Sequence, residues 1–239
     1  YEPVVTFSIN ESDAITAVSE NLRMETFKHF DIKKEIEVIV NFVDVSRFQR
    51  QPINAFKKVI APNGERILLH ASNFRKIKRV QDVVNIFAEV NKQIPSKLLF
   101  VGDGPERSTA EDLARELGVC DEIQFVGKQE QMEDIMPIAD LFLLTSEYES
   151  FGLAALEAMA AGVPVVSTNA GGLSEIVTDG DNGYMGDVGD VATMSKHALA
   201  ILKDDHTLNE FKKRAAEHAK KFDISKIIPL YEKLYERFL

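Results

Sequence analysis

Residues 140–166 read DLFLLTSEYESFGLAALEAMAAGVPVV. The run 141–144 is uninterrupted apolar sequence, as expected of a strand covered on both faces. A polar loop follows, then 152–161, rich in alanine and long enough for a helix, then a second apolar run at 163–167. Strand, helix and strand in that order read as one unit of a parallel sheet. From Phe151 to Val166 the only charged residue is Glu157. A lone carboxylate in so apolar a helix is costly to bury unless it meets a partner. Gly152 at the helix start lets a ligand reach bare backbone N–H groups at the positive end of the helix dipole. An anion at that end and hydroxyl groups at Glu149 and Glu157 are the chemistry suggested, and a sugar nucleotide offers both.

The same alternation extends outward. Residues 67–72, 97–101 and 123–126 read as further strands. Residues 80–94, 106–117 and 131–138 read as the helices between them, and 173–177 as a helical turn. Residues 191–202, 207–222 and 224–238 close the chain as helices expected to pack back toward a preceding domain. The pattern predicts an α/β fold with a doubly wound parallel sheet, Rossmann-like. The first 60 residues do not fit the repeat. There, 14–18 and 36–41 look like strands, 21–30 like a helix and 44–51 like a loop. We expect residues 1–43 to be the tail of a preceding α/β domain with its crossover, and 44–239 to be the main domain.

Composition bounds the function. The chain has 239 residues, 45% hydrophobic and 28% charged, as a soluble globular protein does. A net charge of −10 argues against nucleic acid and against anionic membrane surfaces as partners. No apolar run nears the ~20 residues that cross a bilayer, so no stable membrane insertion is expected. No signal peptide is visible, and a cytoplasmic location is expected, although the chain opens at Tyr1 without Met. The single cysteine, Cys120, excludes an internal disulfide and reads as inert packing at a helix end. No Cys/His cluster has zinc spacing, and no metal site is expected.

Ligands of open α/β sheets sit beyond the carboxyl ends of the strands. After the first strand of the repeat comes Arg75-Lys76-Ile77-Lys78-Arg79, four cations in five residues of an acidic chain. Cations at a helix N-terminus oppose the dipole, and a bound phosphate would compensate them. A solvated basic turn is the alternative, and the position at a strand's carboxyl end favours the phosphate. Gly102-Asp103-Gly104-Pro105, Gly127-Lys128 and Gly171-Gly172 follow other strands. Each alone reads as an ordinary βα turn; together, on one sheet edge, they point to a ligand. Asp179-Gly180-Asp181 matches a D-x-D metal pattern but lies among turn formers, and is read as a turn. His70, inside an apolar strand, reads as a satisfied core residue.

Glu149 and Glu157, eight positions apart, follow Ser146 and precede Gly162-Val163-Pro164 and Gly171-Gly172-x-x-Glu175. This set resembles the C-terminal half of the family-4 retaining glycosyltransferases of the GT-B fold, from about Ile36 onward. The resemblance implies that this domain binds a nucleotide-sugar donor against a second domain. It implies that Glu157 accepts from ribose hydroxyls and Glu149 from the donor sugar. Phe151, Gly152 and Leu153 would offer N–H groups, Lys78 would pair with the diphosphate, and Gly127 and Lys128 would lie at the base. The family usually has Gly-Arg where this chain has Ser72-Asn73; Arg75 is the expected substitute. SNFRKIKRVQDV and VGDGPE resemble the branch that transfers N-acetylglucosamine from UDP-GlcNAc to L-malate in bacillithiol biosynthesis. No cofactor and no metal would be required, and a homo-oligomer is allowed. Two alternatives remain open: a nucleotide-binding module without catalysis, and a sugar-nucleotide epimerase of the same fold.

Overall fold

The computed structural model describes residues 1–49 and 54–239. In chain order the elements are α1 (Glu2–Glu11), β1 (Thr16–Ala17), α2 (Glu20–His29), β2 (Glu37–Val38), α3 (Val45–Phe48), α4 (Asn54–Ile60), β3 (Arg66–Ser72), α5 (Val80–Asn91), β4 (Ser96–Gly102), α6 (Arg107–Glu116), β5 (Ile123–Phe125) and α7 (Met132–Ile135). Then follow β6 (Leu141–Leu144), α8 (Leu153–Ala160), β7 (Val165–Thr168), β8 (Gly183–Gly186), α9 (Val191–Leu202), α10 (Asp205–Ala219) and α11 (Ile224–Tyr235).

Strands β3 to β8 form one six-stranded sheet in the order β5-β4-β3-β6-β7-β8, and every neighbouring pair is parallel. The expected doubly wound α/β sheet is therefore observed. The apolar strand runs divide by parity between two cores. Ile67, Leu69, Leu99, Val101, Phe142, Leu144 and Val165 pack with α8 on one face. Leu68, Leu98, Phe100, Leu141, Leu143 and Val166 pack with α5, α6 and α9 on the other. That double burial is why the runs do not alternate with polar residues. The order reverses between β3 and β6, so a crevice opens at their carboxyl ends.

The amino edge is held by a charge. Asp140, 3% exposed, accepts from the Ile67 N–H at 3.0 Å and pairs with Lys212 at 2.7 Å and Lys57 at 3.4 Å. Burial alone would raise its pKa, but the two lysines and the backbone donor outweigh burial and hold it low.

Residues 13–42 form a separate parallel pair, β1 with β2, shorter than the strands expected at 14–18 and 36–41. Of the three C-terminal helices expected to pack back toward a preceding domain, α11 packs on this segment, whereas α9 and α10 pack on the sheet domain, where their apolar residues join its two cores. Ile39, Ile227 and Leu234 form a small core, and Arg237 forks onto Glu37 at 2.7 and 3.0 Å.

Three local expectations are corrected. The loop expected at 44–51 contains α3, because the Asp44 carboxylate caps it by accepting from Ser46 N–H at 3.1 Å; residues 50 and 51 lie outside the described residues. Strand β8 was not expected, since Gly183 and Gly186 leave no apolar run. A Cβ at Gly183 would lie 2.1 Å from the Val165 carbonyl oxygen, so glycine permits the strand. Cys120 is exposed in a short turn, not packed. Among the described residues no helix is long and apolar enough to cross a membrane.

Candidate functional site

At the β3–β6 switch point lies a cleft of about 260 Å³, lined by residues of the β3 loop, among them Ser72, Asn73 and Lys78, and by Leu144, Glu149, Gly152, Leu153 and Ala154. The β3 loop reaches it through Phe74 and Arg79, whose φ values of 40° and 47° are left-handed. This loop is tied to the β6 loop at two places. The Thr145 hydroxyl donates to the carbonyls of Lys78 and Arg79, and the Glu147 N–H donates to the Ile77 carbonyl at 2.8 Å. Lys78 is thereby held at the cleft, where its ammonium meets Glu149 Oε1 at 2.5 Å. The Ser146 hydroxyl donates to the same oxygen at 2.7 Å. Lys78 and Glu149 side chains remain 20% and 15% exposed, so a ligand can reach both.

Helix α8 starts beside them. Gly152 is its N-cap with φ 98°, and no side chain caps it. The N–H groups of Leu153 and Ala154, which have no intrahelical partner by position, face this end of the sheet. The φ of 98° favours glycine at 152, and a Cβ would also press on the end of the Leu173 side chain, 2.5 Å away. The Phe151 side chain is buried against Phe222 at 5.8 Å, so only its backbone belongs to the site. Leu153 is 44% exposed.

Glu157 lies one turn further along α8 and is half-buried. Among the described residues its carboxylate has no hydrogen bond and no ion pair within 4.0 Å. Burial raises its pKa; Arg47 counters and Glu133 adds to the rise. Arg47, on α3, instead pairs with Glu133 on α7 at 2.7 Å. Nothing in the sequence pattern pointed to Arg47 or Glu133, which stand 86 positions apart. Only the capping aspartate Asp44 could have signalled that α3 exists.

The remaining predicted residues are placed less centrally. Arg75 is exposed, does not line the cleft, and makes no ion pair among the described residues. Gly102 and Gly104 are glycines because the neighbouring loop is close: a Cβ would lie 1.8 Å from the Ser72 carbonyl oxygen and 2.0 Å from that of Asn73. Packing of one loop on another accounts for both. Gly127, φ 70°, has open space around it and accepts through its carbonyl from Gly102 N–H at 2.8 Å; Lys128 is exposed.

The other motifs fall outside the cleft. Asp179 and Asp181 form a turn before β8, at the amino edge of the sheet. Asp179 accepts from Met185 N–H at 2.6 Å, and Asp181 lies 3.6 Å from Arg214. His70 is fully buried, with Leu143 O at 2.9 Å and Ser72 Oγ at 2.8 Å, and burial pushes its pKa down to about 4.

The chain is 41% identical over 97% of its length to the N-acetyl-alpha-D-glucosaminyl L-malate synthase of Bacillus anthracis, of which it covers 61%. It is 28% identical over 90% of its length to a D-inositol 3-phosphate glycosyltransferase of Corynebacterium kroppenstedtii, covering 51% of that protein. The fold matches the crystal structure of Anabaena Alr3699/HepE in complex with UDP and glucose, with a TM-score of 0.89 at 22% identity over 98% of this chain and 66% of that one. The chain thus spans between half and two thirds of these proteins. The two curated relatives are a synthase and a transferase, which does not favour the epimerase alternative. The model of the glycosyl transferases group 1 family matches residues 53–221, the stretch that holds the sheet, the cleft and both glutamates, and the chain belongs to that family.

Proposed function

We propose that this chain is the donor-binding half of a retaining enzyme that transfers N-acetylglucosamine from UDP-GlcNAc to L-malate, in the manner of bacillithiol biosynthesis. The observation that carries the choice of substrates is the 41% identity to the malate synthase over 97% of the chain. The geometry supports the donor half of it. In this reading the diphosphate lies over the start of α8, where the N–H groups of Leu153 and Ala154 and the Lys78 ammonium offset its charge. The ribose hydroxyls donate to Glu157, which supplies the partner that its carboxylate lacks. Hydroxyls of the donor sugar meet Glu149, with Lys78 and Ser146 orienting the carboxylate. The base lies toward Gly127 and Lys128. As the bond from sugar to phosphate breaks, charge builds on the leaving UDP, and Lys78 with the α8 N-terminus stabilises it there. No metal is assigned a role. A cleft of about 260 Å³ is smaller than the ~300–1,000 Å³ of most complete ligand pockets, which fits one wall of a two-walled site.

Calorimetric titration with UDP, UDP-GlcNAc, UDP-glucose and ADP-glucose tests base and sugar preference together. The expected order has UDP and UDP-GlcNAc binding without added metal and ADP-glucose weakest. Tighter binding of ADP-glucose would overturn the donor assignment. This chain alone is expected to bind but not to turn over, because it spans 61% of the malate synthase's length and a reacting sugar must be held against an acceptor in a closed cleft. Sustained formation of GlcNAc-malate by the 239-residue chain would show that the remainder is not needed.

A further inference from the structure

The loop that carries Glu149 is gripped from two sides. From its own side, the Gly172 N–H donates to the Glu149 carbonyl at 2.8 Å. Gly171 and Gly172 lie so close that added Cβ atoms would sit 2.0 Å from the Glu149 carbonyl oxygen and 2.5 Å from that of Ser150. From the other side comes the N-terminal segment. The Ser19 hydroxyl, wholly buried, donates to the Ser150 carbonyl at 2.6 Å across 131 positions of sequence. The same hydroxyl caps α2 by accepting from the Leu22 N–H at 3.0 Å. The next two N–H groups of α2, those of Glu20 and Asn21, both donate to the Glu175 carboxylate, at 2.9 and 2.8 Å. Glu175 ends the same short helical turn that begins with Gly171.

Two bridges therefore join α2 to the site. One runs from Ser19 straight into the loop. The other runs from the α2 N-terminus through Glu175 into the glycines that hold Glu149. A carboxylate at a helix N-terminus is favoured by charge as well as by hydrogen bonding. The pairing is thus a directional contact, not passive packing, and it is made where the first 43 residues meet the rest.

We propose that Ser19 and Glu175 are positioning residues: they latch the N-terminal segment to the Glu149 loop and set where the Glu149 carboxylate stands relative to the donor sugar. The inference rests on the reading that Glu149 meets the donor sugar while Glu157 meets the ribose. It follows that the latch tunes recognition of the sugar and leaves recognition of UDP alone.

Ser19→Ala removes the bond to Ser150 and the α2 cap together. Glu175→Gln leaves one acceptor but turns an N–H group toward a backbone N–H, so one bridge to α2 is lost. Calorimetry on the chain with UDP and with UDP-GlcNAc, beside thermal unfolding, separates the roles. For both variants we expect affinity for UDP-GlcNAc to fall about threefold to tenfold, the scale of one hydrogen bond, with UDP changed less than about twofold. Equal changes for the two ligands, or none in either, would overturn the latch. If Ser19→Ala does not fold, Glu175→Gln decides the matter alone. Glu149→Ala is the control for the underlying reading. If it fails to weaken UDP-GlcNAc relative to UDP, the sugar assignment falls and the latch with it. If it does weaken it while Glu175→Gln does not, the latch alone is wrong.

Discussion

Asp140 and Glu157 are two acidic side chains drawn out of water in one α/β domain, and the fold treats them differently. Asp140, at the amino edge, is met by two lysines and a backbone N–H and is held ionised. Glu157, further along α8 than the residues that line the cleft, has no hydrogen-bond partner among the described residues, and burial pushes its pKa up. A buried charge that is fully paired serves stability; one left unpaired is a candidate for a ligand. The contrast supports the proposal that Glu157 serves a ligand, whereas Asp140 serves the fold.

The contrast can be broken by exchanging which property each residue controls. Asp140→Ala strands Lys57 and Lys212 and removes the acceptor of the Ile67 N–H. It should lower unfolding free energy by about 3 kcal/mol, as loss of one partner of a buried pair does, with UDP affinity unchanged. Urea denaturation and calorimetry on the same variant check both halves. Glu157→Ala should do the reverse, weakening UDP by ~1–3 kcal/mol while the protein keeps its stability. If Glu157→Ala unfolds more readily and binds UDP normally, Glu157 is a second Asp140 and the contrast is void.

Acid should act on the stabilising groups. The folded pKa of His70, about 4, lies below its ordinary value of 6.5. The native state therefore binds fewer protons, and this component of stability is complete above about pH 6.5 and lost as pH falls toward 4. Asp140 is shifted in the same direction and adds its loss only below the ordinary aspartate range. Glu157 has the opposite sign and cannot account for an acid loss. From pH 7 to 5, His70 should remove up to about 2 kcal/mol, and His70→Gln should flatten that slope. An unchanged slope would mean that His70 does not stay neutral in the native state.

Smaller effects sharpen the map of the cleft. Lys78→Ala should weaken UDP by about 1.5 kcal/mol and uridine hardly at all, as for a charged hydrogen bond to phosphate. Arg75→Ala should cost under about 0.5 kcal/mol, because Arg75 is exposed and outside the lining. Equal losses for UDP and uridine at Lys78 would mark the basic run as structural. A larger loss at Arg75 than at Lys78 would restore it as the diphosphate cation.

The sheet was legible because each strand of 67–72, 97–101 and 141–144 is apolar on both faces, a pattern that water-facing sheets do not show. Strand β8 was not, because Gly183 and Gly186 serve close approach, not burial, and leave no apolar signature. Glu149, Glu157, Gly152 and Lys78 were legible as a motif on one helix start and one loop. Arg47, Glu133 and Ser19 were not, since each meets a partner 86 to 131 positions away, and Glu175 was legible as part of the motif but not its pairing with α2 across 155 positions. No local period encodes such a distance. Gly102 was legible as a required glycine, but the neighbour that the fold itself supplies, the Ser72 carbonyl of the adjacent loop, was not.

The most direct test is a crystal structure of this chain with UDP-GlcNAc. The expected result is the diphosphate over the N–H groups of Leu153 and Ala154 with Lys78 beside it, ribose hydroxyls on Glu157, and the sugar on Glu149. UDP-GlcNAc bound away from the β3–β6 switch point, or bound there with Glu157 still unpartnered, would contradict it.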